Sequence, residues 1–218
     1  ASLEACISAG IDIFRSDIIP MAMTAINKQA YKTMDQHIGK RTDCLAILFG
    51  GRPKTMERQL NDLIHICKNH HCLSADEIPE APSKDLWRSI GNFGWDSHTK
   101  PHLGLRFSVL PSQTADLAVE LGTWNEPNLI VNPADGTISA SWNLFVDEKS
   151  VGLGILTEAK QSVSSLEGRM IIEHGSPDIK KNHDVWVGSY SHIPITQRLK
   201  DQFDPNKLLN PGRFVEHI

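Results

Sequence analysis

The sequence is poor in the features that announce a specialised protein. No apolar run approaches the roughly eighteen residues of a membrane-spanning helix, so a membrane span is excluded. Basic residues are not in excess: 22 Lys and Arg stand against 26 Asp and Glu, a net charge of −4. A surface built to neutralise phosphates needs the opposite balance, and a nucleic-acid role goes with it. Four cysteines in 218 residues are too few and too scattered for a disulfide scaffold, which points to a reducing compartment. Neither Gly-x-Gly-x-x-Gly nor the phosphate-binding Gly-x-x-x-x-Gly-Lys-Ser/Thr occurs, and Gly-x-Ser-x-Gly is missing too. There is no internal repeat and no low-complexity stretch. An initiator methionine is also lacking. The chain opens at Ala1 with no charged or signal-like leader, and the expectation is a domain that begins inside a longer polypeptide.

What is present describes an ordinary globular chain, 40% hydrophobic and 22% charged, with ample material for a core. Cys44–Phe49 is a continuous apolar run that predicts a buried strand, ended by Gly50, Gly51 and Pro53. Met56, Leu60, Leu63, Ile64 and Cys67 then recur at helical spacing, with Glu57, Arg58, Asn61 and Asp62 opposite. Leu103, Leu105, Phe107 and Val109 alternate with polar neighbours as in a half-buried strand. A helix over 112–121 follows. Two strands, 129–131 and 138–144, flank the turn dipeptide Asp135-Gly136 as a hairpin. Val151 to Leu166 reads as a helix and Arg169 to His174 as a strand, with helical pieces at Ile179–Trp186 and Ile195–Phe203. Residues 1–40 read as a helical lead-in (Ile19, Ala22, Met23, Ile26, Ala30), 41–192 as the core and 193–218 as a tail. The expected fold is α+β: a mainly antiparallel sheet of split β-α-β, ferredoxin-like units with helices on one face.

The polar faces of these strands carry His102, Arg106 and Ser108; Ser139, Ser141 and Asn143; and Arg169 and Glu173. Such a face is either solvated, as in most half-covered antiparallel sheets, or the roof of a substrate pocket. His65, Cys67, His70, His71 and Cys72 resemble a metal box, but zinc wants a second converging pair, and Cys67 belongs to the apolar stripe. The cluster reads better as histidines at the negative end of a helix dipole, and no metal site is expected. Trp95, Trp124, Trp142 and Trp186 are expected to fill core or interface.

The C-terminus is the specific signal. Leu199, Lys200, Phe203, Asp204, Pro205, Asn206, Leu209, Asn210, Pro211, Gly212, Arg213 and Phe214 form a run in which Asp204 can cap a short turn opened by Pro205. The run resembles the terminal signature of FAD-linked oxidases of the vanillyl-alcohol oxidase type, most like the FAD-binding E subunits of bacterial glycolate oxidase. Asp85–Arg88, Leu105–Pro111, Asn132–Gly136 and Asp184–Trp186 extend the likeness along the chain. The resemblance implies a C-terminal cap that roofs the flavin and shapes the substrate site, with FAD held by an N-terminal domain outside this sequence. It implies oxidation of a small 2-hydroxy acid, in the cytoplasm or at the inner membrane through partner subunits, one of them an iron–sulfur subunit. The D-type relatives bind a divalent metal through a His-x-Gly-Asp-Gly-Asn-x-His stretch. Here Asn132 and Ser139 stand where its histidines would be, and only Glu173-His174-Gly175 survives of the later motif. That favours the metal-free branch.

A substrate carboxylate calls for a planar cation, and Arg106 and Arg88 are the candidates, each with a plain surface-arginine alternative. His174 is the candidate base or orienter near the flavin. Asn210 and Arg213 are carried over as residues of the tail that returns toward the flavin domain. The rival expectation is an assembly and electron-relay platform with no substrate of its own.

Overall fold

The computed structural model describes residues 1–34, 42–72, 74–94, 102–144, 149–188 and 193–212. Seven strands form one sheet: β1 (Ala22–Ile26), β2 (Cys44–Leu48), β3 (Leu103–Ser108), β4 (Asn128–Asn132), β5 (Thr137–Trp142), β6 (Arg169–His174) and β7 (Trp186–Gly188). Their order is β2-β1-β4-β5-β3-β6-β7, and every pairing is antiparallel. Eight helices accompany them among the described residues: α1 (Leu3–Phe14), α2 (Lys28–Thr33), α3 (Pro53–Asn69), α4 (Glu80–Gly91), α5 (Thr114–Gly122), α6 (Lys149–Ser165), α7 (Pro177–Asn182) and α8 (Ile193–Phe203). Helix α5 links β3 to β4 with β5 lying between them, and α6 links β5 to β6 with β3 between them. These are the two interleaved split β-α-β units expected, flanked by β1 and β2 on one side and β7 on the other.

One sheet face is the main core. Leu105, Phe107, Ile138, Ala140, Trp142, Met170 and Ile172 all lie there at 2% exposure or less. Against them pack Leu3, Cys6 and Ile7 of α1, Leu117 and Leu121 of α5, and Leu156, Ala159 and Val163 of α6. The β4–β5 hairpin closes through a turn in which Gly136 holds φ at +75°, and a Cβ there would lie 1.9 Å from the Val109 carbonyl oxygen. Glycine is required at that corner.

Three expectations change. Ala22, Met23 and Ile26 lie in a strand, not a helix. β1 is covered on both faces, Ala25 by the main core and Ile26 by a second cluster, so its apolar residues do not alternate and their spacing mimics a helix. Cys44–Leu48 is an edge strand with every residue half-buried, not a buried one. Burial still pushes the Cys44 thiol up to about 11, with Asp43 adding to the shift, which leaves it a poor nucleophile. Trp186 opens β7 instead of ending a helix. α7 stops at Asn182, His183 is extended, and the Asp184 carboxylate accepts the Trp186 amide proton at 3.0 Å.

The second cluster also shows that helices are not confined to one face. Ala30 and Tyr31 of α2 pack with Ile26 and Ile130, and Ile90 and Phe93 lie against them at the end of α4. Asn27 fastens this corner. Its side-chain oxygen accepts from the Ala30 and Leu129 amides at 2.9 and 3.0 Å, and its amide donates to the Pro127 carbonyl at 2.8 Å.

Candidate functional site

Because the sheet is antiparallel and in register, residues on neighbouring strands line up in rows across it. Asn128 pairs with Ser141, Ser141 with Gly104, and Gly104 with His174, one row across β4, β5, β3 and β6 on the face away from the main core. Strict alternation would send His174 to the core side with Met170 and Ile172. The register shifts between Gly104 and Leu105, and that irregularity in β6 brings the imidazole over Gly104 instead. A Cβ on residue 104 would meet the His174 ring at 3.0 Å, so glycine leaves the space the ring occupies. Gly94, just beyond α4, borders the same ring. Asn128, Ser141 and His174 are all buried, at 8, 5 and 7% exposure.

Above the Asn128–Ser141 end of the row lies a cleft of about 270 Å³. Asn128, Ser141 and Asn143 face it from the sheet, and Thr33 and Met34 from the end of α2. The α4 side supplies Arg88, Ser89, Asn92, Phe93 and Gly94. Gly94 is thus shared between the cleft and the His174 ring. Polar amides and hydroxyls form the floor, and Arg88 on the rim is the only charged side chain lining the cleft among the described residues. Arg88 also pairs with Asp85 at 3.0 Å, one turn back on an exposed face of α4.

The residues singled out from sequence separate here. Arg88 and His174 come to the same side of the sheet, one on the cleft's rim and the other next to it. Arg106 lies further along β3, half-exposed, with its guanidinium on the carboxylate of Glu173. Both arginines thus meet a carboxylate, but the Arg106 pair is the more enclosed, with the Glu173 side chain at 17% exposure against 58% for Asp85, so the solvent-screened Arg88 pair is the one a ligand can displace. Asn210 sits in the exposed tail at φ +46°, and Arg213 lies outside the described residues, as does Trp95. His70 Nε2 is 2.7 Å from Asp12 Oδ2, tying the end of α3 to α1. No group of three or more His, Cys, Asp or Glu side chains converges among the described residues. Ser141 and Asn143 lie on the polar strand face read from sequence, whereas Asn92 and Asn128 were not singled out. A further signal was a glycine in mid-strand at 104, which marks a close approach.

The tail motif has a structural role of its own. The Asp204 carboxylate accepts from the Leu208 and Leu209 amides, both at 2.9 Å, and from Lys200 Nζ at 2.7 Å. Lys200 Nζ reaches on to the Leu209 carbonyl at 2.6 Å. The Lys200 hydrogen bond and then the Leu209 amide hold the Asp204 carboxyl at about 2, against an ordinary 3.8. A depressed carboxyl pKa contributes stability that is fully present above the ordinary value and is lost as pH falls through the folded one. We expect protection of the Leu208 and Leu209 amides from hydrogen exchange to decline between about pH 4 and pH 2. In Asp204→Asn it should be weak throughout that window. Unchanged protection in the variant would show that the carboxylate does not hold the tail.

No helix among the described residues is long and apolar enough to cross a membrane. No curated protein matches the chain. Residues 127–214 match the family model of FAD linked oxidases, C-terminal domain. The matched segment holds three of the row's four residues, Asn128, Ser141 and His174, together with the irregularity of β6 and the Asp204 tail, whereas Gly104, Arg88 and Arg106 lie before it. From β4 to the tail, this chain is similar to the C-terminal domain of FAD-linked oxidases, and its α+β architecture, with seven antiparallel strands, is consistent with that likeness.

Proposed function

We propose that the chain is the cap of an FAD-dependent enzyme that oxidises a 2-hydroxy acid of the glycolate or D-lactate kind. The observation that carries the reading is the buried Asn128–Ser141–His174 row beside a cleft with one arginine, within a chain whose second half matches the oxidase family. The cleft does not fit a whole FAD. Its 270 Å³ lies below the range of about 300–1,000 Å³ for sites that enclose ligands of even drug size. No glycine-rich turn in the sequence offers backbone amides to a pyrophosphate. We assign the flavin to a separate N-terminal domain, where it would supply the hydride acceptor.

The chain's own residues then have three tasks. Arg88 binds the substrate carboxylate, which a planar guanidinium can hold through two hydrogen bonds. Asn128 and Ser141 orient the bound acid from the floor. His174 takes the proton of the 2-hydroxyl on an imidazole nitrogen as the C2 hydride leaves, so that the alcohol becomes a carbonyl, an aldehyde from glycolate and a ketone from D-lactate, with its electrons balanced. Arg106, neutralised by Glu173, is placed at the boundary with the flavin domain instead of on the substrate, and Asn210 and Arg213 in the tail that reaches that domain.

The test is anaerobic mixing of the full-length, flavin-loaded protein with glycolate and with D-lactate. Loss of the visible flavin band supports the reading. A flavin that no 2-hydroxy acid reduces overturns it and leaves the second reading, a non-catalytic assembly and electron-relay domain among other oxidase subunits. One observation favours that alternative: Ile195, Leu199 and Phe203 form an exposed stripe on α8 at 62, 53 and 78% exposure, continued by Leu208 and Leu209. Apolar patches of that kind mark contact surfaces.

A further inference from the structure

The cleft is larger and differently lined than a two-carbon acid needs. We propose that it takes a linear polyhydroxylated monocarboxylate, a sugar acid, in preference to glycolate. The inference rests on the substrate-site reading above and sharpens it. Three observations support it.

The first is size. At about 30 Å³ for each water in the liquid, 270 Å³ holds on the order of nine waters. A two-carbon acid would fill a minor part and leave the rest as water. A chain of about six carbons with its hydroxyls would use more than half.

The second is charge. Arg88 is the one cation of the lining, and no Asp or Glu lines the cleft among the described residues. The complement is one carboxylate, not two. A cation would be repelled by Arg88, and a dianion would find no second cation among the described residues that line the cleft.

The third is the rest of the lining. Asn92, Asn128 and Asn143 each carry a donor and an acceptor on one planar group, Ser141 carries a hydroxyl that does both, and Thr33, whose hydroxyl donates to the Ala30 carbonyl at 2.8 Å, keeps its oxygen as an acceptor. Successive hydroxyls on a carbon chain also donate and accept, so such a lining matches them one by one. A purely aliphatic hydroxy acid would leave these groups to water, and a site built to bond a hydroxyl discriminates strongly against ligands that lack it. Phe93 and Met34 give the carbon chain an apolar side to lie on.

The test is titration of the 218-residue chain with D-gluconate, glycolate and the neutral polyol D-glucitol, read by the side-chain amide resonances of Asn92, Asn128 and Asn143. We expect saturable shifts with gluconate, and binding weaker by about tenfold or more for both glycolate and glucitol. Arg88→Met, a change on an exposed helix face, should reduce gluconate to the level of glucitol. Asn143→Ala should weaken gluconate several-fold and leave glycolate unaffected. Equal binding of glycolate and gluconate, or no saturable shift with gluconate, overturns the inference. The two readings fail separately. Flavin reduction by glycolate without gluconate binding leaves the oxidase and removes the sugar acid. Selective gluconate binding in a protein whose flavin no hydroxy acid reduces keeps the ligand class and removes the oxidase.

Discussion

Replacing His174 by Gln should lower the rate of flavin reduction in the full-length enzyme by about 10²- to 10⁴-fold, the usual contribution of a positioned general base. Gln keeps most of the volume and a hydrogen-bonding end but cannot accept a proton at neutral pH. Stopped-flow reduction at saturating substrate measures the step directly. Flavin content and the melting temperature should stay near those of the parent, because the side chain sits in space left by Gly104 and not in the main core. A variant that reduces its flavin at the parent rate would remove His174 from the chemistry. Gly104→Ala is the companion change. Its methyl group would come within 3.0 Å of the His174 ring, so the ring must move or the strand must give. On the proposed function Gly104 would act as a positioning residue, and its substitution should then depress kcat and displace the pH profile with little change in KM.

The fold was legible where periodicity has one meaning. β3 and β5 each carry one apolar and one polar face, and their alternation marks both strand and orientation. The Asp135-Gly136 turn marks the β4–β5 hairpin, and Ser141 and Asn143 fell on the polar face as the pattern required. β1 failed because both its faces are covered, which removes the alternation that tells a strand from a helix. Trp186 failed because a three-residue strand contains too few positions for any period to show.

The site was less legible for a different reason. Its row spans four strands whose order is not their order in the chain, so Asn128, Ser141, Gly104 and His174 look unrelated along the sequence. His174 reaches the row only through the irregularity in β6, and local sequence patterning gives such shifts no signature. Arg106 looked the better carboxylate ligand because it stands in mid-strand. The neighbouring strand supplies Glu173 to answer its charge, and that pairing depends on register alone. The comparison with D-type relatives sets Glu173 beside lost metal ligands. In this chain its carboxylate serves an arginine.

Trp142 is where the core and the site depend on each other most directly, and Trp142→Ala should cost about 3–5 kcal/mol of stability. The indole is 1% exposed within the main core, and its Nε1–H donates to the Trp124 carbonyl at 2.6 Å. Trp142→Phe separates the two contributions. It keeps most of the apolar burial and leaves the Trp124 carbonyl without that donor, which should cost about 1–3 kcal/mol. Chemical denaturation followed by far-ultraviolet circular dichroism gives both values. A loss below about 1 kcal/mol for the alanine variant would show that the indole does not anchor the core as its burial requires. The functional consequence follows from the two-residue period of a strand. Ser141 and Asn143 flank Trp142 and face the cleft because the indole is held on the opposite side of the sheet. Loosening Trp142 frees β5 to twist about the row that pairs Ser141 with both Asn128 and Gly104. The phenylalanine variant, still folded, should therefore bind hydroxy acids more weakly although it alters no residue lining the cleft. Parent-like binding in that variant would mean that the pairings with β3 and β4 hold the row without help from the core.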